Sequence, residues 1–244
     1  MKTLIFPDLH EPLAPVLARI EAIIAGEAPD RVVFLGDYFD HYNDTPSDAD
    51  RTARWLKKSL TDPRRTHLIG NHDASYLWPN EATFCPGFTW EKEKAIRLVL
   101  GRNAADSFVF HIWVDGWLLT HAGLSAQWVP EGLQPDILDR WLTDEAQAAR
   151  ASFAADKHHW FVSVGPKRGG IDRKAGGILW CDFRELLPIR GVRQIFGHTP
   201  ADHIRRIGQD HICLDTNTGH GPQHYAIVED GKVATRLFAE HPTQ

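Results

Sequence analysis

The sequence predicts an α/β fold, tending towards α+β, in which two mixed β-sheets pack as a sandwich flanked by α-helices. The first half of the chain alternates compact β-branched runs with stretches of helical periodicity, and the second half is rich in strand-like runs. A length of 244 residues with 43 % hydrophobic residues suffices for one large core. Because no internal repeat, linker or low-complexity stretch interrupts the chain, we expect a single domain over residues 1–244.

The first half contains predicted strands at residues 3–6, 31–35 and 66–69. Between the first two, apolar side chains repeat at helical period along one face: Leu13, Val16, Leu17, Ile20, Ile23 and Ile24. We expect Gly26 to end this helix and Thr45-Pro46 to begin the next one. Right-handed crossovers through these helices then place the strands side by side and parallel.

The second half is predicted to be mostly strand. Its strand-like runs cover residues 108–114, 116–120, 192–196, 211–214, 223–228 and 233–238, and Glu229-Asp230-Gly231 is typical of a hairpin turn. Residues 135–153 have helical periodicity, and residues 164–177 are rich in glycine, lysine and arginine. We therefore expect a helical and basic insertion over residues 128–177 that resembles a lid.

Composition argues against several classes of protein. A net charge of −5 provides no basic footprint, so a nucleic-acid partner is not expected. The three cysteines have no close spacing, which argues against a disulfide framework or a thiolate zinc site and fits a reducing compartment. No signal-like run follows Met1, and no run approaches ~18 apolar residues. We expect a cytoplasmic protein with no membrane partner and no obligate protein partner.

Side chains with metal-binding chemistry follow the first three predicted strands. Asp8 and His10 leave the first strand on alternate residues, Asp37 follows the second on a glycine turn, and Asn71 follows the third. The carboxyl ends of parallel strands meet at one edge of a sheet, where ligands collect. A mixed set of Asp, Asn and His favours borderline ions such as Mn, Fe and Zn. An isolated Asp-x-His, however, is more often a pair of solvated loop residues.

Five blocks in a fixed order give these residues more weight. They are Asp8-Leu9-His10, Gly36-Asp37-Tyr38-Phe39-Asp40, Gly70-Asn71-His72-Asp73, His121-Ala122-Gly123 and Gly197-His198-Thr199-Pro200. In number and order they resemble the calcineurin-like metallophosphoesterase superfamily over residues 8–200. Residues 120–125, 178–182 and 214–216 are similar to the branch of PPP-type protein phosphatases and bacterial symmetrical diadenosine tetraphosphatases. The Gly-His-x-His ending of many phosphodiesterases is absent.

The resemblance implies a centre of two divalent metal ions, with Mn favoured and Fe, Zn, Ni or Co as alternatives. The ligands that it implies are Asp8 and His10 for one ion, Asp37 as the bridge, and Asn71, His121 and His198 for the other ion. His72 would protonate the leaving alkoxide, and Asp40 would position His72. Two ions about 3.5–4 Å apart clamp phosphoryl oxygens and lower the pKa of a bridging water, so hydroxide attacks in line.

The chain also departs from the family pattern. After Asp40 the PPP branch has an arginine that clamps phosphate, and here His41 stands in its place. Glu11 and Asp73 replace the usual Gly and Glu of their blocks. Protein phosphatase activity is therefore not expected. The cationic candidates for binding substrate phosphate are Lys167, Arg168, Arg173, Lys174, Arg190 and His41, although the basic segment also fits a solvated surface loop. His220 is a further candidate neighbour of the metals.

The function predicted from these observations is hydrolysis of a small phosphorylated substrate, either a phosphomonoester or a nucleotide-like polyphosphate. A phosphodiesterase or nucleic-acid end-processing enzyme is the first alternative. A catalytically silent binding protein on the same fold is the second. The full set of predicted ligands argues against the silent protein, because converging carboxylates and imidazoles are costly to keep without a role.

Overall fold

Two five-stranded sheets form the centre of the protein in the computed structural model, which describes residues 1–10, 14–41, 43–171, 173–219 and 222–238. The strands are β1 (Thr3–Phe6), β2 (Arg31–Phe34), β3 (Arg65–His67), β4 (His111–Val114), β5 (Trp117–Thr120), β6 (Arg193–Phe196), β7 (Arg205–Ile207), β8 (His211–Cys213), β9 (His224–Glu229) and β10 (Lys232–Leu237). The first sheet has the order β10-β9-β1-β2-β3 and the second has the order β4-β5-β6-β8-β7. The predicted fold class is confirmed.

Each sheet contains three adjacent parallel strands that continue into antiparallel strands. In the first sheet β1, β2 and β3 are parallel, and β9 and β10 continue as an antiparallel hairpin. In the second sheet β5, β6 and β8 are parallel, whereas β4 and β7 pair antiparallel to their neighbours. The predicted hairpin turn lies between β9 and β10, where Asp230 and Gly231 both have positive φ, as tight hairpins favour.

Both faces of the central strands are buried, which explains why these strands read as continuous apolar runs. Ile5 and Val33 lie in an apolar layer between the two sheets, together with Ile195 of the second sheet. Their neighbours Phe6 and Phe34 point the other way into the helix-covered core, where their rings stack with centroids 5.3 Å apart. The alternation fixes the register, since a slip of one residue would exchange the two layers.

Five helices pack around the sheets in the described part of the chain. They are α1 (Ala14–Glu27), α2 (Pro46–Ser59), α3 (Asn71–Leu77), α4 (Trp90–Leu100) and α5 (Leu138–Ala154). The predicted start of α2 is confirmed, because the Thr45 side chain accepts from the Asp48 backbone and the Asp48 side chain reciprocates. No helix among the described residues is long and apolar enough to cross a membrane.

Several predicted boundaries were wrong. Helix α1 runs through Gly26 to Glu27, and Ala28 then leaves the helix with a φ of 45°. The strand predicted at residues 108–114 begins only at His111. Of the residues before it, Val109 makes a single isolated parallel bridge to Leu68. The sequence did not predict α3, α4 or β7.

The chain between β5 and β6 contains the segment predicted as a lid-like insertion. It carries α5 and 3₁₀ turns at Pro135–Ile137, Trp160–Val162 and Pro166–Arg168. The Trp128 and Trp160 rings stack with centroids 5.0 Å apart, and Trp141 stacks on Trp160 at 5.8 Å. The Trp128 indole nitrogen also donates to the carbonyl of Ala175 at 2.8 Å. These contacts hold the two ends of the segment together, and its action as a lid stays a prediction.

Candidate metal centre

Polar side chains that follow parallel strands of both sheets converge at one edge of the sandwich. The first sheet supplies Asp8 and His10 after β1, Asp37 after β2 and Asn71 after β3. The second sheet supplies His121 after β5, His198 after β6 and Asp215 after β8. The two sets meet directly, because the His198 backbone nitrogen donates to the two oxygens of Asp8 at 3.0 and 2.9 Å. The structure thus brings the predicted ligands together.

The turns that carry these residues have strained backbones. His10, Asp37, Asp40 and His198 have φ values of 41°, 53°, 66° and 69°, in the left-handed region that side chains other than glycine rarely adopt. Strain of this kind concentrates at functional sites, where surrounding contacts impose it.

The glycines of the motifs allow carboxylates to lie against the backbone. A Cβ atom on Gly70 would stand 2.0 Å from Oδ1 of Asp37, and one on Gly197 would stand 1.9 Å from Oδ1 of Asp8. Any larger residue would therefore displace a predicted ligand.

Backbone carbonyls orient two of the imidazole rings. His121 Nδ1 lies 2.9 Å from the carbonyl oxygen of Leu35, and His10 Nδ1 lies 2.9 Å from that of Phe39. A carbonyl accepts only, so each Nδ1 carries the proton and donates it. When the ring is neutral, as a metal ligand must be, Nε2 has a lone pair that faces the centre, the arrangement in which histidine binds metals.

Asp37, His121 and His198 form one buried group whose ligand atoms could hold a metal ion. Nε2 of His121 lies 3.0 Å from Oδ1 of Asn71, 3.2 Å from Nδ1 of His198 and 3.4 Å from Oδ2 of Asp37. Lone pairs that face one another repel unless a cation lies between them or the Asn71 amide turns its nitrogen inward. This donor set of carboxylate, amide and imidazole fits a borderline divalent ion.

A second group joins the first through Asp37. His10, Asp37 and His72 each offer an atom within 4.8 Å of the others, so this group could also hold a metal ion. Nε2 of His10 lies 3.3 Å from Oδ2 of Asp37, the same oxygen that faces His121. Geometry alone admits His72 either as a ligand or as a proton donor beside the ligands.

The electrostatics of the site favour positive charge. Burial raises the pKa of Asp8, and the neighbouring carboxylates of Asp215 and Asp37 raise it further. Burial lowers the pKa of His10, but its hydrogen bond to Asp37 and the nearby carboxylates outweigh burial and raise the pKa to about 10. Among the described residues no lysine or arginine forms an ion pair with Asp8, Asp37 or Asp215. Cations are the natural counter-charge for these buried carboxylates.

Asp73 holds the metal-site turns in place. Its carboxylate accepts hydrogen bonds from the backbone nitrogens of Asp37 at 2.7 Å, Tyr38 at 2.9 Å and Gly70 at 2.8 Å. One buried side chain therefore fixes the turn after β2 and the first turn of α3 relative to each other. Asp73, which stands where the family pattern has Glu, therefore has a clear structural role.

His72 and Asp40 form the pair expected from the sequence. Nδ1 of His72 lies 2.9 Å from Oδ2 of Asp40, whose other oxygen accepts from Tyr76 at 2.5 Å and from Lys92 at 2.6 Å. Burial raises the pKa of Asp40, but the hydrogen bonds from His72, Lys92 and Tyr76 outweigh burial and keep this pKa below its usual value. An ionised Asp40 accepts from His72 Nδ1 and leaves Nε2 free for chemistry.

The predicted phosphate-binding cations lie in different surroundings. Arg168 lies beside the centre, where Nη2 donates to the carbonyl of His198 at 2.9 Å and Nε pairs with Asp182 at 3.1 Å. Lys174 lies over the ring of Trp128, 4.7 Å from its centroid. Lys167, Arg173 and Arg190 are exposed. Arg190 precedes β6, whereas His198 follows it, so the strand separates Arg190 from the site.

Of the two further histidines predicted near the site, the structure describes His41 but not His220. Nε2 of His41 lies 3.3 Å from the carbonyl oxygen of Gly219, which places His41 next to the chain that follows Asp215. His220 lies outside the residues that the structure describes. The roles of both stay predictions.

Fold and site together define a class: a two-sheet α/β protein with buried Asp, Asn and His clusters that could hold metal ions. The model of the calcineurin-like phosphoesterase family matches residues 1–202. The chain belongs to this family, which confirms the resemblance found in the sequence blocks. Members of the family typically use divalent metals.

Solved structures share the fold at low sequence identity. A cold-active protein-tyrosine phosphatase of a psychrophilic Shewanella species is 15 % identical with a TM-score of 0.64, and the match covers 97 % of this chain and 78 % of that one. A candidate diadenosine tetraphosphatase is 15 % identical with a TM-score of 0.51, and the match covers 97 % of this chain and 93 % of that one. At these identities the likeness shows the fold alone. No curated protein matches the sequence of this chain.

Proposed function

We propose that this protein hydrolyses phosphate esters with two divalent metal ions, and that phosphomonoesters are its substrates. The observation that carries the proposal is the oxygen Oδ2 of Asp37, which faces both His10 and His121 and so joins the two groups of potential ligands. Asp8 and His10 would hold one ion, and Asn71, His121 and His198 would hold the other. Bound ions of this kind neutralise phosphoryl oxygens and lower the pKa of a water that serves as the nucleophile.

The chain itself supplies proton transfer to the leaving group. His72 donates a proton from Nε2 to the departing alkoxide, and Asp40 holds the opposite side of the ring through Nδ1. A leaving alkoxide is a strong base, so its protonation is the step in which a positioned imidazole helps most.

Arg168 is the cation best placed to bind substrate phosphate. It is the member of the predicted basic set that contacts the backbone of a predicted metal ligand. Burial lowers the pKa of His198, and the charges of His121 and Arg168 lower it further. The charge of Arg168 therefore acts on this ligand. A guanidinium beside the residues that would hold the metals would take the place of the arginine missing at His41.

The test is a metal screen of stripped protein with p-nitrophenyl phosphate and bis-p-nitrophenyl phosphate, adding Mn, Fe, Zn, Ni and Mg in turn. We expect turnover that depends on metal and is faster with the monoester, with Mn as the favoured ion. Faster turnover of the diester would show that the protein is a phosphodiesterase and not a phosphomonoesterase. No turnover with any of the metals would contradict the proposed hydrolysis of simple esters.

Replacing Arg168 with Ala is expected to lower kcat/KM for p-nitrophenyl phosphate by about 10- to 100-fold, since a hydrogen bond to a charged group contributes about 1.5–3 kcal/mol. The matched control is Arg236→Ala, which removes an exposed arginine from β10 at the edge of the first sheet. Steady-state kinetics of both variants, with thermal melting to verify folding, check the expectation. Equal kinetics of Arg168→Ala and wild type would remove Arg168 from the binding site.

A further inference from the structure

Lys92 is an unusual residue in its position. It lies in the first turn of α4, where Thr89 caps the helix by accepting from the Lys92 backbone at 3.2 Å. A cation is unfavourable at a helix N-terminus because the helix dipole is positive there. The Lys92 side chain is also only 4 % exposed, and lysine is almost never buried unless it is paired. A compensating contact must therefore hold it there.

That contact is the carboxylate next to the predicted acid. Nζ of Lys92 lies 2.6 Å from Oδ1 of Asp40 and 2.9 Å from Oδ1 of Asp44, and the Asp40 side chain is 1 % exposed. The hydroxyl of Tyr76 donates to the same Asp40 oxygen. Oδ1 is thus occupied by two donors, and Oδ2 is the oxygen that remains for His72 Nδ1.

From this geometry we propose that Lys92, together with Tyr76, is a positioning residue that fixes Asp40 so that His72 is oriented to protonate the leaving group. This inference rests on the proposed function. The backbone of Asp40 is strained, with a φ of 66°. Gly87 lies so close that a Cβ atom placed on it would stand 2.9 Å from the Asp40 side chain. Such a carboxylate needs several partners to keep one orientation, and Lys92 supplies the charged one.

The alternative is that Lys92 only neutralises Asp40 and Asp44 and so joins α4 to the loop after β2. The two roles differ in what they do to chemistry. Loss of a structural tie lowers the rates with all substrates alike. Loss of proton donation slows esters with a poor leaving group far more than esters with a good one, because a stable anion departs without a proton.

The experiment compares glycerol 2-phosphate, which releases an alkoxide, with p-nitrophenyl phosphate, which releases a stable phenolate. For Lys92→Met we expect kcat/KM to fall about 10- to 100-fold with the alkyl ester and by less than about 3-fold with the aryl ester. Asp44→Asn should keep the wild-type ratio, because it leaves the contact between Lys92 and Asp40. Lys94→Met removes an exposed lysine from the same helix and should also keep the ratio.

Two further variants test the proposal in case Lys92→Met does not fold. Lys92→Met leaves the buried Asp44 carboxylate without a cation, and Lys92→Met/Asp44→Asn also removes that charge. Tyr76→Phe removes only the hydroxyl that donates to Asp40. Both should shift the substrate ratio in the direction of Lys92→Met, and circular dichroism verifies that each is folded.

A second readout does not depend on turnover. In protein loaded with diamagnetic Zn, the proton on Nδ1 of His72 should give a low-field NMR signal, which Lys92→Met/Asp44→Asn and Tyr76→Phe shift or broaden and Asp44→Asn does not. An unchanged signal together with an unchanged substrate ratio, or equal loss with both esters, would overturn the positioning role. If wild-type protein hydrolyses neither ester, the proposed function fails, and the NMR comparison alone decides the role of Lys92.

Discussion

Replacing Asp37 with Asn is expected to lower phosphatase activity by ~10³-fold or more and to reduce the bound metal, because one carboxylate oxygen serves both groups of ligands. Oδ2 of Asp37 lies 3.3 Å from Nε2 of His10 and 3.4 Å from Nε2 of His121. The amide has no charge and offers one acceptor oxygen instead of two, so it bridges poorly. Metal content by elemental analysis and turnover of p-nitrophenyl phosphate measure the two effects.

The matched control for this substitution is Asp230→Asn. Asp230 is 86 % exposed in the turn between β9 and β10, where a positive φ of 50° suits asparagine as well as aspartate. It should keep full activity and metal content. Normal metal content in folded Asp37→Asn would show that Asp37 does not bridge, and the assignment of the two groups to two ions would then be wrong.

Replacing His72 with Ala is expected to leave both metals bound and to slow hydrolysis by ~10²–10⁴-fold, the usual effect of losing a general acid. Its Nδ1 is engaged by Asp40, and its Nε2 is the atom left for the substrate. The loss should be greater for alkyl than for aryl esters. Metal analysis together with kinetics on both esters makes the measurement.

His203→Ala is the control, because His203 is 73 % exposed and pairs only with its neighbour Asp202 in the hydrogen bonds of the described residues. The informative result is the metal content of His72→Ala. His72 lies close enough to His10 and Asp37 to share an ion with them. Loss of one equivalent of metal would therefore make His72 a ligand and leave the proton donor unassigned.

The burial of the central strands on both faces made both the sandwich and the place of the site predictable from the sequence. Central strands such as β1 and β2 are buried on both faces, so their apolar runs are unambiguous. The polar residues directly after them had to meet at the carboxyl edge of the sheet. Asp8, Asp37 and Asn71 needed only this rule, whereas His121 and His198 came from the resemblance, since their sheet could not be aligned with the first from spacing alone.

What the sequence did not predict depends on packing between distant segments. Strand β7 has three residues, two of them arginines, and it exists because it pairs with β8. Helix α4 carries buried Lys92 and Glu93, so its polar pattern conceals which face packs inward. The contacts of Lys92 and Tyr76 with Asp40 join residues 52 and 36 positions apart, and no local sequence pattern predicts them.

The hydrogen bond between Asp8 and His198 joins residues that are 190 positions apart, and it has a consequence for the order of folding. Ligands from β1 emerge from the ribosome long before those that follow β6, so the complete centre can form only late in synthesis. Contacts of such long range also slow folding, because a large loop must close before they form. If the proposed metals bind, they would stabilise only the finished chain by mass action, and metal supply would then influence how much protein survives proteolysis in the cell.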